Sequence, residues 1–361
     1  MLPAFKSSFS RSFRPLLLSA ALIASVADAG PVITWVAPYR VAESKAMLQR
    51  DFGGVGMKDG LTWLALQFWV TSGPNLTQDG SVAGANFDNT VKWFRDWGHA
   101  NGIKVTLCVT DFVGDWNWPE ARRSFLDNRA AFVKTLLAET ERLELDGIEL
   151  DLEGVGDPTA ADMVGYNAFA ADLAAGLHPK GKTLTAASYP AQWNAPNWKM
   201  WPDLMKVADG VTSMGYEQTG KASNNGFNYA DQKKHAVPPE RLMIGMPGYH
   251  GTWEGNSALE QLDWVYQDGV VGVGIWDASL ADAAWQSAAV WNKLKAIKAQ
   301  KFTGIADGPA KPAAPAKTAL AAAPDAELAD TNGRIVDAPR HTPAFRRRGT
   351  PLKQRAADPE E

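Results

Sequence analysis

The chain of 361 residues has little of what several protein classes require. Cys108 is its only cysteine, so no intramolecular disulfide can form, and its place in the apolar run 104–110 predicts a buried thiol. Five histidines occur, none paired at metal-ligand spacing, which argues against a His-based zinc site. A formal net charge of −4 gives no general electrostatic basis for binding nucleic acid. We therefore expect no metal, no other cofactor and no nucleic-acid partner.

Long apolar segments are also missing. The run 15–27 is too short for the roughly 20 residues of a transmembrane helix, and no later run approaches that length. Three basic residues precede this run, and the small-x-small pattern Ala27-Asp28-Ala29 stands at its end. Together these features predict a signal peptide over 1–29. An uncleaved anchor is the alternative. We expect a secreted or periplasmic protein, monomeric and without stable membrane insertion after cleavage.

Aromatic residues are scarce at the other end of the chain. From Ala306 to Glu361 there is one Phe and neither Trp nor Tyr, in a segment rich in Ala and Pro. Such a composition buries too little apolar surface to offset its ordering entropy. We predict a disordered tail over 304–361, after a folded domain at 30–303.

The central part of the chain alternates β-type runs with helical patterns, which indicates βαβ units and a parallel sheet. Eight units in this length predict an α/β fold, the closed (β/α)8 barrel of about 250 residues. A doubly wound open sheet is the alternative, but its glycine-rich phosphate loop is absent. The predicted strands are 32–39, 61–70, 104–110, 147–153, 183–188, 210–216, 241–247 and 271–277. Helical patterns occupy 89–102, 123–144, 160–177, 257–268 and 280–299.

The segment "LDGIELDLE" carries the most unusual pattern. In a strand, Glu149, Asp151 and Glu153 share one face, and the apolar residues between them share the other. In a barrel the apolar side packs under the helices and the carboxylates point inward. Glu153 then lies at the carboxyl end of the strand, where barrel enzymes build their active sites.

These acids would be spaced by about 6.6 Å along the strand, so they interact strongly, and at least one should hold a proton near neutral pH. General acid catalysis on a glycosidic oxygen requires such a proton. An internal ion-pair network or a divalent metal site is the alternative. The segment, however, supplies no Lys or Arg and lacks the ligand order of a calcium loop.

The same segment resembles the strand-four motif of glycoside hydrolase family 18, the chitinases and endo-β-N-acetylglucosaminidases. Three later segments are similar to family motifs in the same order: "SMGYE" at 213–217, "IGMPGYHG" at 244–251 and "GVGIWD" at 272–277. The resemblance covers roughly 31–300.

The resemblance implies roles for individual residues. Glu153 would protonate the leaving oxygen, and Asp151 would support the substrate's 2-acetamido group as it attacks the anomeric carbon with retention. Tyr216 would hydrogen-bond the acetamido carbonyl, Met214 would line the pocket, and Trp276 would form its apolar floor. We also count Glu149 among the catalytic residues and expect substrate contacts from Asp146, Phe68, Glu217 and Tyr249.

Tryptophan is abundant, with 15 residues. Five lie in helical patterns and are expected in the core: Trp93, Trp97, Trp264, Trp285 and Trp291. Six follow predicted strands, on the active-site rim: Trp116, Trp118, Trp193, Trp198, Trp201 and Trp253. We expect about half of this second set to stack on a saccharide, with Trp116 and Trp193 the chosen candidates.

The chain departs from the family pattern at three places. Glu149 stands where Asp or Asn is usual, Glu217 stands where Asp is usual, and 107–112 lacks the Ser-x-Gly-Gly often found on strand three. We predict an exported retaining glycosidase for β-linked N-acetylhexosamine glycans other than ordinary long-chain chitin. Two alternatives are a catalytically silent carbohydrate-binding barrel and a metal-dependent barrel hydrolase.

Overall fold

The computed structural model describes residues 30–153, 159–189, 200–216, 229–253, 256–269 and 271–300. The predicted signal peptide and the predicted tail lie outside the described residues. Glu217, Trp193 and Trp198 lie outside them too.

Eight parallel strands close into a barrel, which confirms the predicted α/β class and architecture. Each strand pairs with the next around the ring, and the pairing of β1 with β2 closes it. The barrel strands are β1 Val32–Val36, β2 Trp63–Ser72, β4 Lys104–Thr110, β5 Gly147–Asp151, β6 Thr183–Ser188, β7 Gly210–Ser213, β8 Leu242–Pro247 and β11 Gly272–Trp276. All eight predicted strands are therefore present.

The strands divide the buried side chains into two layers. One layer lies between strands and helices and includes Ile148, Leu150 and Leu152. The other lies inside the barrel and includes Trp35 and Cys108, which is fully buried as predicted. The alternation on β5 therefore follows the predicted pattern, because period-two side chains reach opposite sides of the sheet.

Helices surround the barrel: α1 Val41–Leu48, α2 Met57–Gly60, α3 Phe87–Ala100, α4 Trp118–Arg122, α5 Arg129–Arg142, α6 Ala160–Leu177, α7 Trp201–Leu204, α8 Tyr229–His235, α9 Ala258–Asp268 and α10 Ala288–Lys298. Two predicted helices are shorter than expected. The predicted helix at 123–144 opens with a π-helical turn, Arg123–Asp127, and α5 begins only after it. The last begins only at Ala288, because the Ser287 side chain caps it by accepting from the Val290 N–H at 3.4 Å.

Three short strands were not predicted. β3 Asn75–Gln78 pairs antiparallel with β2 after a turn at Gly73, whose φ of 57° suits glycine. β9 Thr252–Trp253 pairs with β10 Asn256–Ser257. No helix among the described residues has the length and apolar character needed to cross a bilayer.

Candidate active site

The acids of β5 run up the inside of the barrel toward the carboxyl ends of the strands. Glu149 lies in the middle of β5 and is fully buried, whereas Asp151 is the last residue of the strand and is 3% exposed. Glu153 follows two residues later and is half-buried. The three carboxyl groups thus pass from the interior to the mouth of the barrel, with Glu153 the most accessible to a substrate.

Asp151 is held by a glutamine from another strand. The side-chain amide of Gln67, on β2, donates to Oδ2 of Asp151 at 2.7 Å, and both side chains are buried. A neutral amide donor fixes the orientation of a carboxylate without neutralising it. The Gln67 amide therefore holds the Asp151 carboxyl in one orientation at the end of β5.

Glu149 lies in the buried lumen, in register with Cys108 on β4 and Thr185 on β6. Burial raises the pKa of its carboxyl well above the ordinary value, and the charge of Asp151 adds to that rise. The Thr185 hydroxyl and the Trp35 indole oppose the rise, yet neither forms a hydrogen bond of ordinary geometry with the carboxyl oxygens. The folded protein therefore favours the neutral form of Glu149.

Glu153 is positioned through both its backbone and its side chain. Its N–H donates to Oδ1 of Asp111, the residue after β4, at 3.0 Å. Its carboxyl accepts a hydrogen bond from the Tyr189 phenol, whose pKa is raised by burial and then by the charge of Glu153. A carboxyl at the mouth with a phenol donor beside it can exchange a proton with a bound ligand.

An aromatic wall stands opposite β5. Met214, after β7, packs in the inner layer with Tyr216 and with Trp276 at the end of β11. The rings of Trp276 and Trp35 lie 6.2 Å apart between centroids. Burial, followed by the charges of Asp151 and Glu153, raises the pKa of Tyr216 well above its ordinary value. Tyr216 is therefore a neutral phenol that can donate a hydrogen bond, next to an indole face that suits a sugar.

Gly245 leaves the space that the Tyr216 ring occupies. A Cβ on Gly245, in β8, would lie 3.0 Å from Cδ1 of the Tyr216 ring and 2.4 Å from the Ser213 carbonyl oxygen. Tyr249 lies near enough for its charge to raise the pKa of Tyr216 further, and its ring lies 4.6 Å from that of His250. The segment 244–251 thus contributes space and a second phenol to this wall.

Comparisons with known proteins agree with the barrel fold. The model of the family described as Glycosyl hydrolases family 18 matches residues 45–307. The chain belongs to this family. Endochitinase 1 of Metarhizium robertsii is 27% identical, over 46% of this chain and 46% of that protein, so the chain spans about half the length of this curated relative.

Solved structures share the family 18 fold. A chitinase from Chromobacterium violaceum has a TM-score of 0.58 at 17% identity, over 75% of this chain and 100% of that one. The spore cortex-lytic enzyme of Bacillus megaterium has a TM-score of 0.55 at 13% identity, over 74% of each chain. Both likenesses concern the fold.

Two residues expected to contact substrate lie elsewhere in the family 18 barrel. Phe68 is fully buried in the outer layer, where its ring contacts those of Phe87 and Phe94 at 6.4 and 6.0 Å between centroids. It faces helix α3 because the side chains of β2 alternate regularly up to this point: Trp63 and Ala65 lie in the inner layer, whereas Leu64, Leu66 and Phe68 lie in the outer layer. The expectation for Phe68 was wrong.

Asp146 was also wrongly expected at the substrate. It precedes β5, at the amino ends of the strands, and its Oδ2 accepts the Val105 N–H and contacts Nε2 of His99, each at 2.8 Å. The active-site mouth is at the opposite end of the barrel. Asp146 therefore joins β4 and α3 to the base of β5, which is a structural task.

The tryptophans of the predicted rim divide by burial. Trp116 is half-buried and packs edge-on against Phe112, 5.4 Å away, in the loop after β4. Trp118 is 2% exposed and Trp201 is fully buried, so these two belong to the core. The side chain of Trp253, like Trp193 and Trp198, lies outside the described residues. Trp116 remains as a candidate stacking surface on the rim.

Sequence reasoning missed three polar residues that contact the acids: Gln67, Asp111 and Tyr189. Gln67 is the one polar residue in the run "WLALQFWV", and Asp111 and Tyr189 directly follow strands. A polar residue inside an apolar strand, or at its carboxyl end, was the available signal. Among the described residues, no group of three or more His, Cys, Asp or Glu side chains is arranged to hold a metal ion.

Proposed function

We propose that this protein is a retaining glycoside hydrolase that cleaves β-linked glycans containing N-acetylhexosamine. Its membership of family 18 indicates glycoside hydrolase activity. The observation that carries the proposal is the position of Glu153, a half-buried carboxyl at the mouth of the barrel, two residues beyond the buried Asp151. A proton donor and a fixed anion are thereby brought to one side of the same cavity.

In the first step, Glu153 gives its proton to the glycosidic oxygen as the bond to the anomeric carbon breaks. The carbonyl oxygen of the substrate's own 2-acetamido group attacks that carbon and forms a bicyclic oxazolinium ion. Glu153, now an anion, accepts a proton from the water that opens the ion. Because the anomeric carbon is attacked twice from opposite sides, the product keeps the configuration of the substrate.

Asp151 and Tyr216 support the acetamido group in this scheme. The cationic oxazolinium is stabilised by a nearby anion, and the hydrogen bond from Gln67 at 2.7 Å holds the Asp151 carboxylate in one orientation. The neutral Tyr216 phenol donates to the acetamido oxygen. Burial favours the neutral form of Glu149, and in this scheme Asp151 is the carboxylate that faces the cation.

Sugar binding would use the aromatic residues. Trp276 offers an indole face beneath the reacting sugar, with Met214 beside it and Tyr249 at the edge. Trp116, half-buried on the rim, would stack on a sugar further along the glycan. We propose contacts from Glu217 and Trp193 as well, on the strength of the sequence pattern.

Identifying the glycan that the protein cleaves requires a broad panel of substrates. One relative is named an endochitinase, and one similar structure is a spore cortex-lytic enzyme. Glu149 carries one methylene more than the Asp usual at its position, which favours a substrate other than long-chain chitin. The panel should therefore contain colloidal chitin, spore cortex and soluble N-acetylated oligosaccharides.

The experiment compares the parent with Glu153→Gln, which keeps the size of the side chain and removes its proton. Glu43→Gln, on the exposed face of α1, is the matched control. We expect products with retained anomeric configuration from the parent and the control, and none from Glu153→Gln. Turnover by Glu153→Gln at the parental rate would rule out Glu153 as the acid.

The same panel separates the alternatives. Glycan binding without turnover by the parent would favour the silent carbohydrate-binding barrel. Activity that is lost with a chelator and restored by a divalent cation would favour the metal-dependent hydrolase. Equal rates on colloidal chitin and on every soluble oligosaccharide would contradict the proposed preference.

We also propose that the protein is exported and monomeric. The basic start, short apolar run and small residues of the first 29 positions support cleavage before Gly30. Expression of the full chain, followed by amino-terminal sequencing of the exported material, tests this directly. A chain that starts at Met1 and stays with the membrane would contradict cleavage, and a dimer by light scattering would contradict the monomer.

A further inference from the structure

Asp111 is a buried acid at the active-site end of the barrel that the proposed mechanism does not use. It directly follows β4, is fully buried, and accepts the N–H of Glu153 on Oδ1 at 3.0 Å. The ladder between β4 and β5 ends at the pair Thr110 and Asp151. The Asp111 side chain therefore continues the connection between the two strands to the residue that bears the proposed acid.

The surroundings of Asp111 are unfavourable for a charge. Its Oδ2 is buried and has no hydrogen-bond partner among the described residues. The titratable groups that face it are themselves acids: Asp151 at the end of β5, Glu153 after it, Tyr166 from α6 and Tyr189 after β6. Burial, followed by the charge of Asp151, raises the pKa of Asp111 to about 8, although the backbone N–H groups of Glu153 and Asn117 oppose that rise.

We propose that Asp111 is a positioning residue that acts as a neutral carboxylic acid, fixing the backbone at Glu153 while placing no further negative charge beside Asp151. Oδ1 is the acceptor and Oδ2 bears the proton. The inference rests on the proposed role of Glu153 as proton donor. It also assigns a role to one residue of the segment 107–112, which lacks the Ser-x-Gly-Gly motif often found in the family.

The first test separates positioning from charge by substitution. Asp111→Asn keeps a neutral acceptor of the same shape, so we expect kcat at pH 6 within about 3-fold of the parent. Asp111→Ala loses the acceptor, and a displaced acid can cost about 100-fold, so we expect kcat to fall by about 10- to 100-fold with little change in KM. Asp115→Asn, exposed in the same loop, should behave like the parent.

The second test needs no activity. A folded pKa of about 8 against an ordinary 3.8 means that the folded protein holds a proton that the unfolded chain releases. The parent should therefore lose stability relative to Asp111→Asn as the pH rises from about 4 to about 8, and the difference should then stay constant. Urea midpoints of the parent, Asp111→Asn and Asp115→Asn, measured from pH 4 to 9, give this difference.

Each outcome is informative. Equal kcat for Asp111→Ala and the parent would overturn the positioning role, and loss of activity in Asp111→Asn as severe as in Asp111→Ala would show that the neutral form is not sufficient. A stability difference independent of pH would overturn the neutral acid even if Asp111→Ala fails to fold. If Glu153→Gln remains active, the proposed function fails, yet the urea series still tests the protonation of Asp111.

Discussion

Gln67 and Asp151 are joined by a hydrogen bond of 2.7 Å, although their strands are not neighbours. β4 pairs with β2 on one side and with β5 on the other, so the bond crosses the lumen above β4. Both residues are buried, with 6% of Gln67 and 3% of Asp151 exposed. A contact that passes over β4 ties the orientation of Asp151 to the position of β2.

Replacing Gln67 with Met tests this contact, because Met fills a similar volume and has no amide donor. A hydrogen bond to a charged group contributes about 1.5–3 kcal/mol, so kcat/KM should fall by about 10- to 150-fold. Steady-state kinetics on the best N-acetylated oligosaccharide measures the change. Gln49→Met, on the surface after α1, is the control and should leave kcat/KM unaltered; a parental kcat/KM for Gln67→Met would remove Gln67 from the site.

Gly245→Ala tests the packing of Tyr216 against β8. The added Cβ would lie 2.4 Å from the Ser213 carbonyl oxygen and 3.0 Å from the Tyr216 ring, so the ring must move. A displacement of about 1 Å at a catalytic group can cost about 100-fold in rate, and overpacking costs about 1–3 kcal/mol of stability. Kinetics and thermal unfolding should both show losses.

Gly80→Ala supplies the comparison for that variant. A Cβ at Gly80 would have no heavy atom within 4 Å, so neither rate nor stability should change. If Gly245→Ala keeps the parental rate, Tyr216 is not held by the close approach of β8, and its proposed contact with the acetamido oxygen loses its structural basis.

The strands of this fold could be predicted from the sequence more completely than the contacts of the site. Period-two alternation on β5 and apolar runs elsewhere predict all eight barrel strands, because each pattern is local. Phe68 was misassigned because apolar residues occupy both faces of β2, so hydrophobicity alone does not show which face is inward. Regular alternation places Trp63 and Ala65 in the inner layer and Phe68 in the outer layer.

The polar contacts of the site were harder to foresee, because they depend on how the strands align. Asp111 lies 42 positions before Glu153 in the chain, and their contact arises only when β4 and β5 align. Asp146 has the sequence context of the active-site strand, yet it lies at the amino end of β5, where the rise of the strand carries it away from the mouth.

Asp146→Ala should therefore affect stability and leave catalysis unaltered. The change removes the acceptor for the Val105 N–H and the contact with His99, each at 2.8 Å. An unsatisfied backbone donor costs about 1–3 kcal/mol, which the urea midpoint should report. Glu153→Gln should show the reverse pattern, and a fall in kcat for Asp146→Ala under folding conditions would return Asp146 to the substrate site.

Asp162, near the start of α6, anchors the helix that follows β5. Its carboxyl accepts from Nε and from a terminal nitrogen of Arg122, each at 2.7 Å, and from the N–H of Thr159 at 2.7 Å, while the Trp118 indole lies 3.3 Å away. Burial alone would raise the pKa of this carboxyl, but the hydrogen bonds outweigh burial and lower it to about 2. The folded state therefore favours the anion.

Asp162→Asn should cost about 2 kcal/mol of unfolding free energy at pH 7 through the loss of that preference. The sign follows from the lowered pKa: the stabilisation is fully present above an ordinary pKa of 3.8 and is lost as the pH falls toward about 2. The variant and the parent should thus converge in acid. Asp172→Asn, on the same helix, breaks an exposed ion pair with Arg129 and should cost well under about 1 kcal/mol. A gap between Asp162→Asn and the parent that persists unchanged down to pH 2 would mean that the capped and paired carboxylate is not what stabilises α6.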